Sequence, residues 1–386
     1  MNKLLSLINN KFLIAFSFFM FIFPPGIAKM DVVVSHFYIV RILLVILITL
    51  MLIKYIPSFI KEKKISSMTI VGIFYCFGRF LTTYIKTGNF ISSVITYSFP
   101  LVCVVLIFVE THIKDNTLNL IEGLLIYSEL MIYINVICLL NETFGNIFFG
   151  GSIIQGDNNH LVYYLLGLAS SYIYYYLKKD KLSKYRMIIL WLTIIICTLY
   201  SWSATAVVSL TAFFLALLVS YKLKIANIIS YIIAYYVAFF GIVIYKMQYL
   251  FSFIIVDILH KDLTFTLREQ VWDNYKNVIV KSPIIGYGYN APHLYEEIQK
   301  RYLYAHNHIL QEIYNGGIFV YLIYIWFVIF PAIKLWKNRD NKLSKVLSAT
   351  IFAILVSSIT ESLSPLIFIL IYALSYNIEC FINANK

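Results

Sequence analysis

Residues 263–317 gather the residue types that reactions use: LTFTLREQVWDNYKNVIVKSPIIGYGYNAPHLYEEIQKRYLYAHNHILQEIYNGG. Arg268 and Trp272 stand four apart, so on a helix they share one face. Pro283, Gly286 and Gly288 mark a tight turn after that helix. His306-Asn307-His308 then stands just before the next apolar run. An arginine is always charged and can grip phosphate oxygens through two parallel N–H bonds. Histidine ordinarily titrates near neutrality and suits general-base work. Taken singly, each has a plainer reading. Arg268 could be a solvated loop residue pairing with lipid head groups, and His306 a helix-start residue packed at an interface. No GxxxxGK[ST] stretch occurs anywhere, so nothing in the sequence calls for a nucleotide.

The elements that must hold these residues are membrane helices. Hydrophobic residues make up 61% of the 386, charged residues only 13%, and mean hydropathy is +0.80. An average soluble domain is about 25% charged, and a soluble fold of this length could not hide so much apolar surface. Apolar runs fall at 12–27, 38–56, 68–85, 90–109, 118–139, 161–177, 187–200, 204–220, 226–245, 318–333, 346–360 and 366–382. Helices satisfy every backbone group within such runs, and the alternation of a barrel strand is absent. Residues 187–221 carry no charge. As one helix they would span about 52 Å, against a hydrocarbon core of about 30 Å. A tight turn is therefore expected at Tyr200-Ser201-Trp202-Ser203, the polar break.

The net charge of +12 is first a topology signal and not a mark of nucleic-acid binding. With the N-terminus inside, twenty basic residues fall in cytoplasmic segments and nine in outer ones. Lys3 and Lys11 precede an apolar stretch ending at Pro24-Pro25 with no small-residue cleavage site, as in an uncleaved first helix. The expectation is an all-α polytopic integral membrane protein forming one helical domain over 1–386. It has about twelve transmembrane helices, cytoplasmic N- and C-termini, and a long extracytoplasmic loop, 246–308, before the tenth helix. A shorter outer segment runs from about 141 to 160, and any chemistry belongs on the outer face, where the long loops are.

The ordered motifs resemble those of the O-antigen ligase and polysaccharide polymerase superfamily of bacterial envelopes. The family pattern is an Arg followed four residues later by Trp, then Pro-x-x-Gly-x-Gly, then His-Asn-x-x-Leu. Here these are Arg268 with Trp272, Pro283-Ile284-Ile285-Gly286-Tyr287-Gly288, and His306-Asn307-His308-Ile309-Leu310. Glu312, Gly317 and the Ser-rich stretch Ser201-Trp202-Ser203-Ala204-Thr205 also fit. Three positions depart from the pattern. Leu267 stands where the family often has Gly, Val320 where a second Gly is common, and Ala204 where ligases tend to carry Arg. The last departure moves the expectation from ligase towards polymerase.

The resemblance implies transfer of a glycan from undecaprenyl pyrophosphate to an acceptor hydroxyl, with no cofactor and no metal. Arg268 would hold the pyrophosphate, His306 would act as base, and Asn307 would assist in binding. Arg41 and Arg79, inside apolar runs, are candidates for the lipid pyrophosphate, because charges within a membrane are costly and usually functional. Arg301 is a candidate phosphate ligand or head-group anchor. Glu361 could orient an arginine, and Glu129 is expected to be neutral or paired with one. His308, two residues beyond His306, would point elsewhere on a helix. The five cysteines are read as small core residues. The implied partners are the undecaprenyl-pyrophosphate-linked oligosaccharide and membrane lipid, with a flippase and a chain-length regulator as further candidates and no nucleic acid. The implied location is the bacterial cytoplasmic membrane. A ligase that passes O-antigen to lipid A-core is the alternative within the family; a flippase for the lipid-linked unit is the alternative outside it.

Overall fold

Short polar side chains stand where the helices begin in the computed structural model, which describes residues 10–22, 65–90, 99–141, 143, 145–146, 160–260, 262–265, 267–296, 300–362 and 365–385. Asn10 caps α1 (Lys11–Phe21) and Ser66 caps α2 (Ser67–Thr87), each accepting from a first-turn N–H. Helix α3 (Phe99–Leu140) bends at Asn116, whose φ of −157° and ψ of 72° divide it into two apolar pieces. α4 covers His160–Lys178, and Asp180 caps α5 (Lys181–Ser201). Asn227 caps α7 (Ile228–Phe239) in a reciprocal box with Ser230, and Asn341 caps α10 (Lys342–Ser357).

The uncharged stretch divides where its polar break lies. α5 ends at Ser201, Trp202 takes a left-handed φ of 42°, and α6 (Ala204–Lys222) starts at once. The other elements are α8 (Arg268–Ile279), α9 (His308–Lys337), α11 (Pro365–Tyr376) and α12 (Ile378–Asn383). The strands β1 (Leu294–Glu296) and β2 (Arg301–Leu303) form one small antiparallel pair with Tyr295 opposite Tyr302. The protein is thus mostly helical. Among the described residues, five helices are long and apolar enough to cross a membrane: Ser67–Thr87, Asn116–Leu140, Lys181–Ser201, Ala204–Lys222 and His308–Lys337. The apolar run 38–56 with Arg41, and most of the segment 141–160, lie outside the described residues.

The segment after α7 is not a simple loop. It continues through π-helical Phe240–Ile244, a 3-10 turn at Met247–Phe251 and π-helical Phe253–Ile258. Tyr245, Tyr249, Leu250, Phe251 and Phe253 are all exposed there. An apolar surface of that kind belongs at a membrane interface and not in bulk water.

Packing gives the bundle two distinct ends. α9 lies along α2 and α11, and α10 is covered by α4, α6 and α7. At one end Lys11 pairs with Glu122 at 2.6 Å and Lys334 with Glu379 at 2.7 Å. Ser66 and Thr69 donate to Glu110 there, and Asn341 donates to the Tyr176 hydroxyl. Arg186 grips Glu129 through two bonds, at 2.6 and 2.5 Å, which places Glu129 in the paired state. None of the five cysteines forms a disulfide; Cys103 is half-buried against the core beside Cys76, whereas Cys380 is exposed and not a core residue.

Candidate active site

At the other end, the turn after α10 brings a carboxylate between the two motif residues. Ser357 accepts from the N–H groups of Thr360 and Glu361, closing a tight turn that aims Glu361 inward. Glu361 is only 2% exposed. Its Oε1 accepts from Arg268 Nη2 at 2.8 Å, while Arg268 Nη1 donates to the Thr360 carbonyl at 2.6 Å. Its Oε2 lies 3.8 Å from His306 Nδ1 and accepts from the Tyr304 hydroxyl at 3.5 Å. Arg268 and His306, 38 positions apart in the sequence, thus meet through one acid.

Both residues are held by their own elements. Arg268 is the first residue of α8, and Leu267 before it takes a left-handed φ of 66°. Trp272, one turn on, is fully buried with its ring 6.0 Å from that of Phe265, anchoring the helix. His306 has a left-handed φ of 47°, and its ring lies against Tyr304 with centroids 3.9 Å apart. Strain of this kind in a non-glycine residue persists only where the surroundings enforce it. The enforcement comes from Asn307 and His308. Asn307 Oδ1 accepts from Leu310 N–H as the cap of α9, and its Nδ2 donates to the Ile359 carbonyl; the His308 N–H donates to the Ser358 carbonyl at 2.9 Å. The motif is therefore pinned to the residues that lead into Glu361. Asn307 is fully buried, with its side-chain oxygen and nitrogen committed to Leu310 and Ile359. His308 turns away, as helix geometry required, between the rings of Tyr324 and Phe368.

The Pro-x-x-Gly-x-Gly turn has a different partner. α9 breaks at Gly317, with φ 68° and ψ −178°. The turn fills the break. Tyr287 and Gly288 donate N–H groups to the carbonyls of Tyr314 and Asn315, at 2.8 and 2.7 Å, and the N–H groups of Ile318 and Phe319 reach the carbonyls of Pro283 and Ile284. Backbone groups that the break would orphan in apolar surroundings are satisfied by the turn. The turn also touches α2, where Lys86 donates to Ser282 and the Tyr289 N–H to Thr83.

Arg79 belongs to a second, buried cluster. Its guanidinium lies over the Tyr289 ring at 3.9 Å and donates to the Tyr75 hydroxyl. Tyr75 and Tyr289 both donate to Glu312 Oε2, at 3.0 and 2.7 Å. The structure therefore does not bring Arg79 to Glu361 with Arg268. Arg301 opens β2 opposite Glu296, and its side chain lies outside the described residues, as does all of Arg41.

Four further residues border the site: Thr205, from the stretch that fitted the family pattern, and Thr360, Tyr304 and His293, which the sequence did not single out. Thr205, at the start of α6, lies 3.2 Å from Thr360 across their hydroxyls, which brings the Ser201–Thr205 stretch to the edge of the site. Tyr304 lies against His306, and His293 lies beyond it with ring centroids 6.1 Å apart. Partial burial, followed by the nearby His306 imidazole, holds His293 below the usual histidine range. Tyr304 had one local signal, its place two residues before His306, and Thr205 had its place in the Ser201–Thr205 stretch; Thr360 and His293 had none outside the fold.

Residues 187–325 match the model of a family described as O-antigen ligase. Over these 139 of its 386 residues the chain is similar to the O-antigen ligase family. The family comprises glycosyltransferase-like enzymes acting on lipid-linked glycans. The O-antigen ligase segment includes Arg268, the turn, His306 and the break at Gly317, while Thr360 and Glu361 reach the site from beyond it. No curated protein and no solved structure matches the chain.

Proposed function

We propose that this protein is a polysaccharide polymerase that joins undecaprenyl-pyrophosphate-linked repeat units at the outer face of the bacterial cytoplasmic membrane. The observation that carries this is the convergence of Arg268 and His306 on Glu361 at one end of the helical bundle. Twelve membrane helices with both termini cytoplasmic would put that end outside. The loop 246–308 would then be extracytoplasmic, and the pairs Lys11–Glu122 and Lys334–Glu379 would face the cytoplasm.

In this reading Arg268 holds the pyrophosphate and stabilises the charge that develops as it leaves. The acceptor hydroxyl gives its proton to His306 while its oxygen bonds to the anomeric carbon of the donor. The bond from that carbon to the phosphate oxygen breaks, and undecaprenyl pyrophosphate departs with the electron pair. The donor is already activated, so the reaction needs neither nucleotide nor metal. Arg79 could join the phosphate only if the Tyr289 ring moved from its face. An apolar groove of about 500 Å³ between Tyr236, Phe240, Gly241 and Met247 offers a place for the polyprenyl chain. The groove helix α7 touches the turn that leads to Glu361, through a hydrogen bond from Ser358 to Tyr235.

A ligase is favoured by the family that residues 187–325 match, which is described as O-antigen ligase. Polymerase is favoured by Ala204, at the start of the helix that reaches Thr360, where ligases tend to carry an arginine. The purified protein, incubated with lipid-linked repeat units, should yield a ladder of lipid-linked oligomers. Transfer to lipid A-core without a ladder would replace polymerase by ligase. Transbilayer movement of the lipid without any new glycosidic bond would replace both by a flippase.

A further inference from the structure

In the resting arrangement Arg268 is already occupied. Its guanidinium spends two N–H groups on Glu361 and the Thr360 carbonyl, so an incoming pyrophosphate meets a cation paired with a buried acid. His306 is incomplete at the same time: its Nδ1 is buried, has no hydrogen bond among the described residues, and lies 3.8 Å from the acid's other oxygen, Oε2, which accepts only from the Tyr304 hydroxyl at 3.5 Å among the described residues. These two facts share one carboxylate. A pyrophosphate that takes Arg268 leaves Glu361 as a buried charge, which must find another donor or be strongly disfavoured. The Tyr304 hydroxyl already donates weakly to Oε2 at 3.5 Å; the donor within reach that can also carry a charge is His306 Nδ1, and closing to hydrogen-bond distance requires a movement of about 1 Å. Such a bond fixes the proton on Nδ1, leaves Nε2 free to accept the acceptor's proton, and stabilises the imidazolium that results.

We propose that Glu361 is a positioning residue that exchanges partners, holding Arg268 in the resting protein and His306 once the donor's pyrophosphate has taken Arg268. The base is thereby completed only when a donor is in place, which keeps water and stray hydroxyls from being activated in an empty site. The proposal rests on the roles given above to Arg268 and His306. The groups that face His306 are Glu361 from the turn after α10, the Tyr304 ring with His293 beyond it, and Arg268 acting through Glu361.

The test separates binding from turnover. The probe for binding is undecaprenyl pyrophosphate alone, added to the full chain in detergent or nanodiscs. Glu361→Gln removes the competing charge and should tighten binding roughly 5- to 30-fold, within the usual range of coupling between linked groups. The same variant should lose turnover by about 10- to 100-fold, as when a ligand's orienting partner is removed. Glu361→Asp, one methylene shorter, should show the same signs at smaller size and serves if the Gln variant fails to assemble. Equal or weaker binding of undecaprenyl pyrophosphate by both variants overturns the exchange, whatever the reaction proves to be. Tighter binding together with an inactive wild type would instead keep the exchange and remove the polymerase reading.

Discussion

Glu361 sets the expectations at the residue scale, because Arg268 and His306 both depend on it. Arg268 donates from two separate nitrogens, to Glu361 and to the Thr360 carbonyl, a geometry that a lysine ammonium cannot copy. Arg268→Lys should therefore lower polymer formation although charge is retained. One charge-assisted hydrogen bond contributes about 1.5–3 kcal/mol, or roughly 10- to 150-fold if it acts in the transition state. Near-normal polymer from a normally expressed Arg268→Lys protein would take Arg268 out of the site. His306→Gln keeps hydrogen bonding but cannot act as a base near neutral pH, and should lose about 10²- to 10⁴-fold in turnover. His308→Phe is the contrasting change. His308 is packed between Tyr324 and Phe368, with neither ring nitrogen bonded among the described residues, so an apolar ring of similar shape should preserve activity. Full-length polymer from His306→Gln, or its loss in a stable His308→Phe, would reverse the two roles.

At the scale of elements, the deciding feature is the break in α9. A β-carbon at Gly317 would fall 2.0 Å from the Ile284 carbonyl oxygen, on a residue whose φ is already +68°. Neither the backbone conformation nor the docked turn can accept it. Gly317→Ala should cost at least about 2–3 kcal/mol from strain and overpacking together. It should lower the thermal midpoint of the solubilised protein and abolish activity, because the turn and the His306 end of α9 would separate. Gly241→Ala is the control for the thermal midpoint alone: its added carbon meets nothing within 4 Å, and its φ is not in the left-handed region. A Gly317→Ala protein with an unchanged midpoint would show that the turn does not seal the break. The same geometry accounts for two departures from the family pattern. Leu267 takes the left-handed conformation that a glycine would hold without strain, and Val320 is fully buried against the face that Gly78 leaves open.

The whole molecule sorts its polar contacts by end. Contacts of Lys86, Thr205, Arg268, Asn307 and Glu361 join one set of helix ends, and those of Lys11, Glu110, Lys179, Lys334 and Asn341 join the other. The proposed topology puts the first set outside. Single cysteines at the exposed positions Lys179, Lys281 and Lys337, in a background without the five native cysteines, provide the check. An impermeant maleimide added to intact cells should label Lys281→Cys and leave Lys179→Cys and Lys337→Cys unlabelled. Labelling of Lys337→Cys without Lys281→Cys would invert the protein and place the candidate site in the cytoplasm.

What the sequence determined alone is what short-range physics determines. Among the described residues, the uncharged run 187–221 became helices because a helix satisfies every backbone group within itself, and the turn at Trp202 followed from the length limit on one span. Arg268 with Trp272 on one helix, the turn at 283–288 and a helix opening after His306 were equally legible, since each depends on neighbours within a few residues. Nothing in the sequence hinted that the helix opening at His308 breaks at Gly317, because the break is stabilised by a turn about 30 residues away. The pairing of Arg79 with Tyr75, Tyr289 and Glu312, and of Arg268 with a carboxylate 93 positions on, was likewise decided only by packing. A buried charge takes whichever partner the fold brings within about 3 Å, and that choice is made by the crossing of α2, α8, α9 and α10, not by spacing along the chain.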